Sequence, residues 1–207
     1  MSRVLLINGS PNERDCTYTA LCEVASALEK NGIESEIIYL GKAPVPGCIA
    51  CGRCRRDGLC SFGGQVNEVL KRLDEFSGIV IGSPVHYAAA SGQITSFMDR
   101  LFYAGGKRLR GKVGAAIVSC RRGGASAAFD QLNKYFSISQ MPIATSTYWN
   151  QVHGNTPEEV RQDAEGMQTM RMLGENIAWL IRCIEAGRAA GVKSPEQEKR
   201  IATSFIR

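Results

Sequence analysis

The fold is decided near the start of the chain by VLLINGSPN, residues 4–12, and by the helix that follows. The four large apolar residues at 4–7 are typical of a strand that is buried on both faces, as in parallel sheets. Gly9 and Pro11 end this strand, because glycine permits unusual backbone angles and proline lacks an N–H donor. Apolar residues at 21, 24, 25 and 28 have helical spacing, so an amphipathic helix comes next.

The polar loop between this strand and this helix predicts an anion site. Unpaired backbone N–H groups and the positive end of the helix dipole meet at a helix N-terminus, which favours a phosphate group. Thr17 could instead only cap the helix. The loop lacks both G-x-G-x-x-G and G-x-x-x-x-G-K-[ST], so the candidate is a mononucleotide held by amides and hydroxyls, namely FMN. The residues that we expect to contact it are Ser10, Pro11, Asn12, Cys16, Thr17, Tyr18 and Thr19.

Buried strands and amphipathic helices alternate along the rest of the chain. Further strands are predicted at 35–40, 78–83, 113–119 and 142–148, and the last helix is capped by Thr156 and ends at Gly187. Five strands alternating with five helices predict an α/β fold, a flavodoxin-like three-layer sandwich whose parallel sheet has the order 2-1-3-4-5. We predict an FMN-binding domain over 1–187 with a Cys-rich insertion at 41–64. A C-terminal tail over 188–207 is expected to contact a neighbouring subunit through Ile201, Phe205 and Ile206.

Ligands of such sheets bind outside the carboxyl ends of the strands, which selects the loops at 9–19, 83–92 and 119–126. Proline in the second loop orients the following amides, and glycines in the third allow close approach of a ligand. No Ser–His–Asp or paired-carboxylate pattern is present, so no catalytic residue is predicted, and Asp99 with Arg100 is interpreted as a structural ion pair. The cofactor-binding residues predicted here are Pro84, Val85, His86, Tyr87, Ser119, Arg121, Gly123 and Gly124.

The composition limits the functions to consider. The 207 residues carry a net charge of +5, and no basic run is dense enough to indicate nucleic acid binding. No apolar run approaches the roughly 20 residues of a membrane span, and we predict no signal peptide. The expected location is the cytoplasm, where eight cysteines are not expected to form a disulfide framework.

The cysteines instead indicate an inorganic centre. Cys48, Cys51, Cys54 and Cys60 follow the spacing C-x2-C-x2-C-x5-C, so a single loop can present four thiolates. Bacterial ferredoxin loops use a related run, which favours an iron–sulfur cluster. Zinc and thiols without a metal remain open, although zinc sites more often use two separated pairs.

Together, the GSP motif at 9–11, the Cys run, the SPV motif at 83–85 and the stretch from Gly92 to Arg100 resemble the NADPH-dependent FMN reductase superfamily, and within it the iron–sulfur flavoproteins. The resemblance runs from residue 3 to about residue 185. It implies a flavodoxin-like fold, FMN in the three-loop site, a homodimer or homotetramer, and a [4Fe-4S] cluster that passes electrons to FMN.

The predicted function is an FMN-dependent NAD(P)H oxidoreductase. It would pass electrons through FMN to a small-molecule acceptor or a ferredoxin-like redox protein. One alternative is an electron carrier with FMN and a cluster but without NAD(P)H turnover. The other is a flavin-binding module stabilised by zinc.

Overall fold

The computed structural model describes residues 2–199 and 201–203. The strands are β1 Arg3–Asn8, β2 Glu34–Tyr39, β3 Gly78–His86, β4 Ala89–Ala90, β5 Val113–Cys120 and β6 Gln151–His153. The helices are α1 Cys16–Lys30, α2 Cys54–Asp57, α3 Gln65–Arg72, α4 Gly92–Gly105, α5 Ala125–Ile138, α6 Pro157–Gln162 and α7 Ala164–Ala189. Of the three tail residues with an expected subunit contact, Ile201 is exposed, whereas Phe205 and Ile206 lie outside the described residues. The subunit contact and the boundary between domain and tail stay predictions.

The main sheet is parallel and has the order β2-β1-β3-β5-β6. This order confirms the predicted flavodoxin-like topology. Alternate residues of β1 face opposite layers, as the two-residue period of a strand requires. Leu5 and Ile7 belong to the core under α3, α4 and α5, whereas Val4 and Leu6 belong to the core under α1 and α7. All four are fully buried, which explains the continuous apolar run.

The predicted strand at 142–148 is wrong. Only Ile143 bridges to β5, opposite Gly114, and the chain then leaves the sheet before it returns as β6. Most of residues 145–149 are exposed, whereas Val152 of β6 is fully buried. The edge strand forms at 151–153 because that segment supplies the apolar side chain that the sheet can cover.

The predicted single C-terminal helix is two helices. Thr156 caps α6 as expected, accepting a hydrogen bond from the backbone N–H of Glu159 at 3.3 Å. Asp163 then ends α6, because its carboxylate accepts hydrogen bonds from the N–H of His153 at 2.7 Å and of Gly166 at 2.9 Å and so caps α7. The predicted end at Gly187 is also wrong, since α7 continues to Ala189.

The second predicted loop, at 83–92, is partly a β-hairpin. Strand β3 continues to His86 and pairs with the antiparallel β4. The turn between them consists of Tyr87 and Ala88, whose φ angles are 52° and 59°. Both residues therefore adopt the left-handed conformation of a type I′ turn, a position where Asn and Gly are usual. Within the described ranges, no helix is both long and apolar enough to cross a membrane.

Candidate functional site

The three loops predicted from the sequence meet at the carboxyl edge of the sheet. Thr17 in the first turn of α1 and Ser119 at the end of β5 are both buried, and their hydroxyl oxygens are 2.8 Å apart. Ser91, the N-cap of α4, donates its hydroxyl to the carbonyl of Gly9 at 2.7 Å. The first loop is therefore bonded to both of the others.

The third loop also packs against the hairpin of the second. A Cβ atom built on Gly124 would lie 2.8 Å from Cα of Ala88 and 3.1 Å from Cγ1 of Val85. Gly124 also has a φ of +88°. Glycine is needed here for two reasons: it has no Cβ that would clash, and it adopts the left-handed backbone conformation without strain. The neighbouring Gly123 has no atom within 4 Å of such a Cβ.

Asp15, not Thr17, caps α1, which corrects the capping alternative. The Asp15 carboxylate accepts from the N–H of Cys16 at 2.8 Å and from the amide of Asn12 at 2.9 Å. Burial raises the pKa of this carboxyl, but the hydrogen bonds from Asn12 and Cys16 outweigh burial and hold the pKa below its usual value.

Two backbone donors of this helix remain available. In the part of the chain that the structure describes, the N–H groups of Thr17 and Tyr18 have no hydrogen-bond partner. The N–H of Thr19 is already bonded to the carbonyl of Asp15 at 2.9 Å. The N-terminus of α1 therefore presents two adjacent donors to the site.

Several of the residues predicted for the first loop have polar groups that already form hydrogen bonds within the protein. Thr19 donates its hydroxyl to the carbonyl of Asp15 at 3.2 Å. The buried Ser10 hydroxyl accepts from the N–H of Asn12 at 3.1 Å, so its own O–H can still donate to a ligand. The Cys16 thiol points to the carbonyl of Gly154 at 3.6 Å, and burial, with help from Asp15, raises its pKa to about 11. Cys16 is thus a neutral thiol at pH 7. Pro11 is partly exposed and accepts from the Tyr39 hydroxyl at 2.7 Å.

The remaining predicted residues form the rim. Arg121 and Gly123 are exposed, as are His86 and Tyr87 at the tip of the hairpin, whereas Pro84 and Val85 are partly buried. The floor of the site is therefore buried and polar, and its rim is aromatic and basic.

Three residues that build the site were missed from the sequence. Asn8, fully buried at the end of β1, donates to the carbonyl of Glu13 at 2.8 Å and accepts from the N–H of Ser10 at 3.1 Å. Ser83 accepts from the N–H of Ser91 at 2.9 Å. For Asn8 the available signal was a polar residue at the last position of an otherwise apolar strand, since a buried polar group needs partners.

The four cysteines form a second candidate site. Cys48, Cys51, Cys54 and Cys60 all line one pocket of about 350 Å³, counting its open mouth. Ala50 and Gly52 between them have φ angles of 52° and 72°, which turn the loop so that successive cysteines face the same side. Within residues 2–199 and 201–203, no three His, Cys, Asp or Glu side chains are close enough to hold one metal ion.

The thiols in this pocket are not equivalent. Burial raises the pKa of Cys54, and the Coulombic effect of the neighbouring Cys48, Cys51 and Cys60 raises it further. Hydrogen bonds from Ser61 and from the backbone of Arg53 lower the pKa of Cys51. A cationic centre would reverse the repulsion, since thiolate ligands and positive iron attract each other. Four cysteines on one pocket, no three of them close enough for a single ion, therefore fit a cluster of several irons rather than one ion.

The predicted Asp99–Arg100 ion pair is wrong. The hydroxyl of Tyr135 donates to Asp99 at 2.5 Å, whereas Arg100 turns to the cysteine pocket and donates to Sγ of Cys60 at 3.1 Å. The reason is that adjacent residues of a helix point in different directions.

The fold places the molecule in the class of flavodoxin-like proteins. A flavodoxin from Archaea superposes with a TM-score of 0.57 at 16% identity, covering 88% of this chain and 99% of that one. The structure of RosB with bound 8-demethyl-8-formylriboflavin-5′-phosphate superposes with a TM-score of 0.71 at 15% identity, covering 100% and 94%. These likenesses show the fold.

The sequence identifies the family. The family model for NADPH-dependent FMN reductase matches residues 2–156, and the chain belongs to this family of flavin-dependent oxidoreductases. An iron-sulfur flavoprotein of Methanocaldococcus jannaschii is 32% identical over 191 residues, which cover 88% of this chain and 99% of that protein. The resemblance inferred from the motifs is confirmed.

Proposed function

We propose that the chain binds FMN at the three joined loops and oxidises NAD(P)H. The observation that carries this proposal is the buried Thr17–Ser119 hydrogen bond beside the free N–H groups of Thr17 and Tyr18. Amide and hydroxyl donors without a lysine suit a phosphate monoester at a helix N-terminus. Family membership supports the same cofactor.

The residues have distinct parts in this proposal. The N–H groups of Thr17 and Tyr18 hold the phosphate, and the hairpin at 85–90 with Gly124 offers a close backbone wall to a flat ring. When bound, FMN supplies the redox chemistry: it takes two electrons and a proton from NAD(P)H as a hydride, leaves NAD(P)⁺, and passes the electrons on. The protein binds and orients both reactants.

We further propose that Cys48, Cys51, Cys54 and Cys60 hold a [4Fe-4S] cluster, which carries one electron at a time. Helix α4 supports this arrangement, because its N-cap Ser91 touches the flavin loops while Arg100 touches the cysteine pocket. Nine residues of helix separate these contacts by about 14 Å along the axis. Under this proposal the acceptor is a small molecule or a ferredoxin-like protein, and the chain works in the cytoplasm as a homodimer or homotetramer.

The decisive experiment is the visible absorption spectrum of protein purified without oxygen. Flavin bands over a broad shoulder that bleaches with dithionite are expected. Flavin bands without iron would leave a simple flavin reductase, with the cysteines binding zinc or no metal. A colourless protein that does not bind added FMN would contradict the main proposal.

The phosphate site is tested with Thr17→Val, which removes the hydroxyl and keeps the shape. We expect FMN affinity to fall about tenfold or more, because a hydroxyl donor to the phosphate is lost and a hydrogen bond to a charged group is worth about 1.5–3 kcal/mol. Thr169→Val, at a buried position of α7, is the matched control and should leave affinity unchanged. Equal affinities of both variants would exclude the Thr17 hydroxyl from the site.

A pure electron carrier is the second candidate. The observation that favours it is the exposure of Cys48 and Cys51, which leaves one side of the cysteine pocket open to a protein partner. Steady-state oxidation of NADPH and NADH with an artificial acceptor separates the two functions. Turnover supports the oxidoreductase, and FMN that neither nucleotide reduces supports the carrier.

A further inference from the structure

Arg100 is a buried cation in a place where the described structure supplies no carboxylate. The residue is 4% exposed, and its guanidinium donates to the carbonyls of Gly63 at 2.8 Å and Pro46 at 3.4 Å. It also lies over the ring of Phe62, 5.4 Å from the centroid. In the described ranges no Asp or Glu forms an ion pair with Arg100. Burying an arginine without a counter-ion is costly, so an anion is expected beside it.

The group in the position of that anion is Cys60. Nε of Arg100 is 3.1 Å from Cys60 Sγ, which is hydrogen-bond distance for a sulfur acceptor. The backbone of Cys60 is held separately, since Asn67 accepts its N–H at 2.8 Å and donates to its carbonyl at 2.9 Å. Asn67 therefore positions the main chain of Cys60, and Arg100 donates a hydrogen bond to its sulfur.

We propose that Arg100 is the positioning and charge-compensating residue of the cysteine-bound centre, and that it raises the reduction potential of that centre. This inference rests on the proposed cluster. Reduction adds one electron to a centre that already carries thiolate charge, so a nearby buried cation stabilises the reduced form more than the oxidised form. Hydrogen bonds to the ligand sulfurs act in the same direction.

The geometry also makes Arg100 specific for this role. A guanidinium can donate to Sγ of Cys60 and to two carbonyls at once because its N–H groups form a rigid planar fork. A lysine at the same position keeps the charge but has no such fork. A glutamine can still donate one N–H to sulfur but has no charge. The two substitutions therefore separate the charge from the geometry.

The test is the midpoint potential of the iron centre in the holoprotein, from a mediated redox titration with dithionite as electron donor and electron paramagnetic resonance as readout. At the wild-type midpoint, we expect Arg100→Gln to lower the ratio of reduced to oxidised centre about tenfold, or about 59 mV for one electron. The ratio of reduced to oxidised centre in Arg100→Lys should lie between the ratios of Arg100→Gln and wild type. Asn67→Ala is the control that loosens the backbone of Cys60 without changing charge, and its ratio should change by much less.

The outcomes separate this inference from the proposed function. Wild-type protein without iron would refute the cluster, and the inference with it. Iron-loaded variants with wild-type potentials would overturn the role of Arg100 alone. If Arg100→Gln and Arg100→Lys fail to load iron, retained FMN and a retained melting temperature support a role at the cysteine pocket. Loss of FMN and of the fold would instead show a general structural role and overturn the inference.

Discussion

Glu36 on β2 lies between two guanidinium groups at the surface. Arg72 donates to its carboxylate at 2.6 Å and Arg3 at 2.8 Å. The hydrogen bond from Arg72 is the main reason that the pKa of Glu36 lies below its ordinary value of 4.5, since partial burial opposes it. A carboxyl whose pKa is lower in the folded state stabilises the fold fully above the unfolded pKa. That contribution is lost as the pH falls below 4.5 through the folded pKa.

Glu36→Gln should therefore make the unfolding free energy depend less on pH under acidic conditions. We expect the difference in unfolding free energy between wild type and variant to shrink as the pH falls below about 4.5, because Glu36 is then protonated in both states. Urea denaturation at a series of pH values measures this difference. Glu34→Gln, an exposed position on the same strand, is the control. A Glu36→Gln difference that is independent of pH would contradict the assignment.

At the scale of elements, adjacent glycines of the β5–α5 loop should behave differently. Gly124→Ala places a methyl group 2.8 Å from the backbone of Ala88 at a φ of +88°, so it should cost about 1–3 kcal/mol of stability. It should also weaken FMN binding, because it pushes the hairpin away from the loop. Gly123→Ala has open space and should change stability by no more than about 0.5 kcal/mol. Urea denaturation and fluorescence titration with FMN test both, and equal effects would show that the loop does not pack against the hairpin.

The packing of α1 on α7 depends on another glycine. A Cβ atom on Gly174 would lie 2.5 Å from Cβ of Ala27 and 2.9 Å from the carbonyl of Val24. Gly174→Ala should thus destabilise by about 1–3 kcal/mol, although alanine has the higher helix propensity.

Gly187 on the same helix provides the control. The atom nearest to its Cβ position is 3.8 Å away, so Gly187→Ala should stabilise by up to about 1 kcal/mol through helix propensity. Opposite signs of the two changes in thermal or urea denaturation are expected. A stabilising Gly174→Ala would mean that the two helices pack less closely than described.

At the scale of the whole molecule, loss of the iron centre should not affect the FMN site. The pocket of the four cysteines is lined by residues of 48–62 and by Arg100 and Tyr103, whereas the loops at 9–19 and 119–126 take no part in it. Removal of iron by a chelator under reducing conditions should bleach the broad absorption and leave the FMN content and the far-ultraviolet circular dichroism unchanged. Loss of FMN together with iron would show that the cysteine loop also holds the flavin site together.

The strand order could be predicted from the sequence because it depends on local patterns and general rules. The apolar runs of β1, β3 and β5 are buried on both faces, and right-handed connections leave few ways to join them. Strand β6 could not be predicted, because three residues are too few to show a hydrophobic period. Its position depends instead on which backbone groups at the free edge of β5 remain to be paired. The break at Asp163 was equally hidden, because it depends on the N–H of His153, ten residues away.

The sequence by itself determined the parallel α/β fold, the three loops at one edge and the clustering of four cysteines, because these follow from hydrophobic period and short spacing. Only the tertiary structure decided which donors are free at α1, why Gly124 has to be glycine, and that Arg100 turns to Cys60 rather than Asp99. Those features are contacts between residues far apart in the chain. Their energies depend on distance, burial and direction, which no local pattern of residues records.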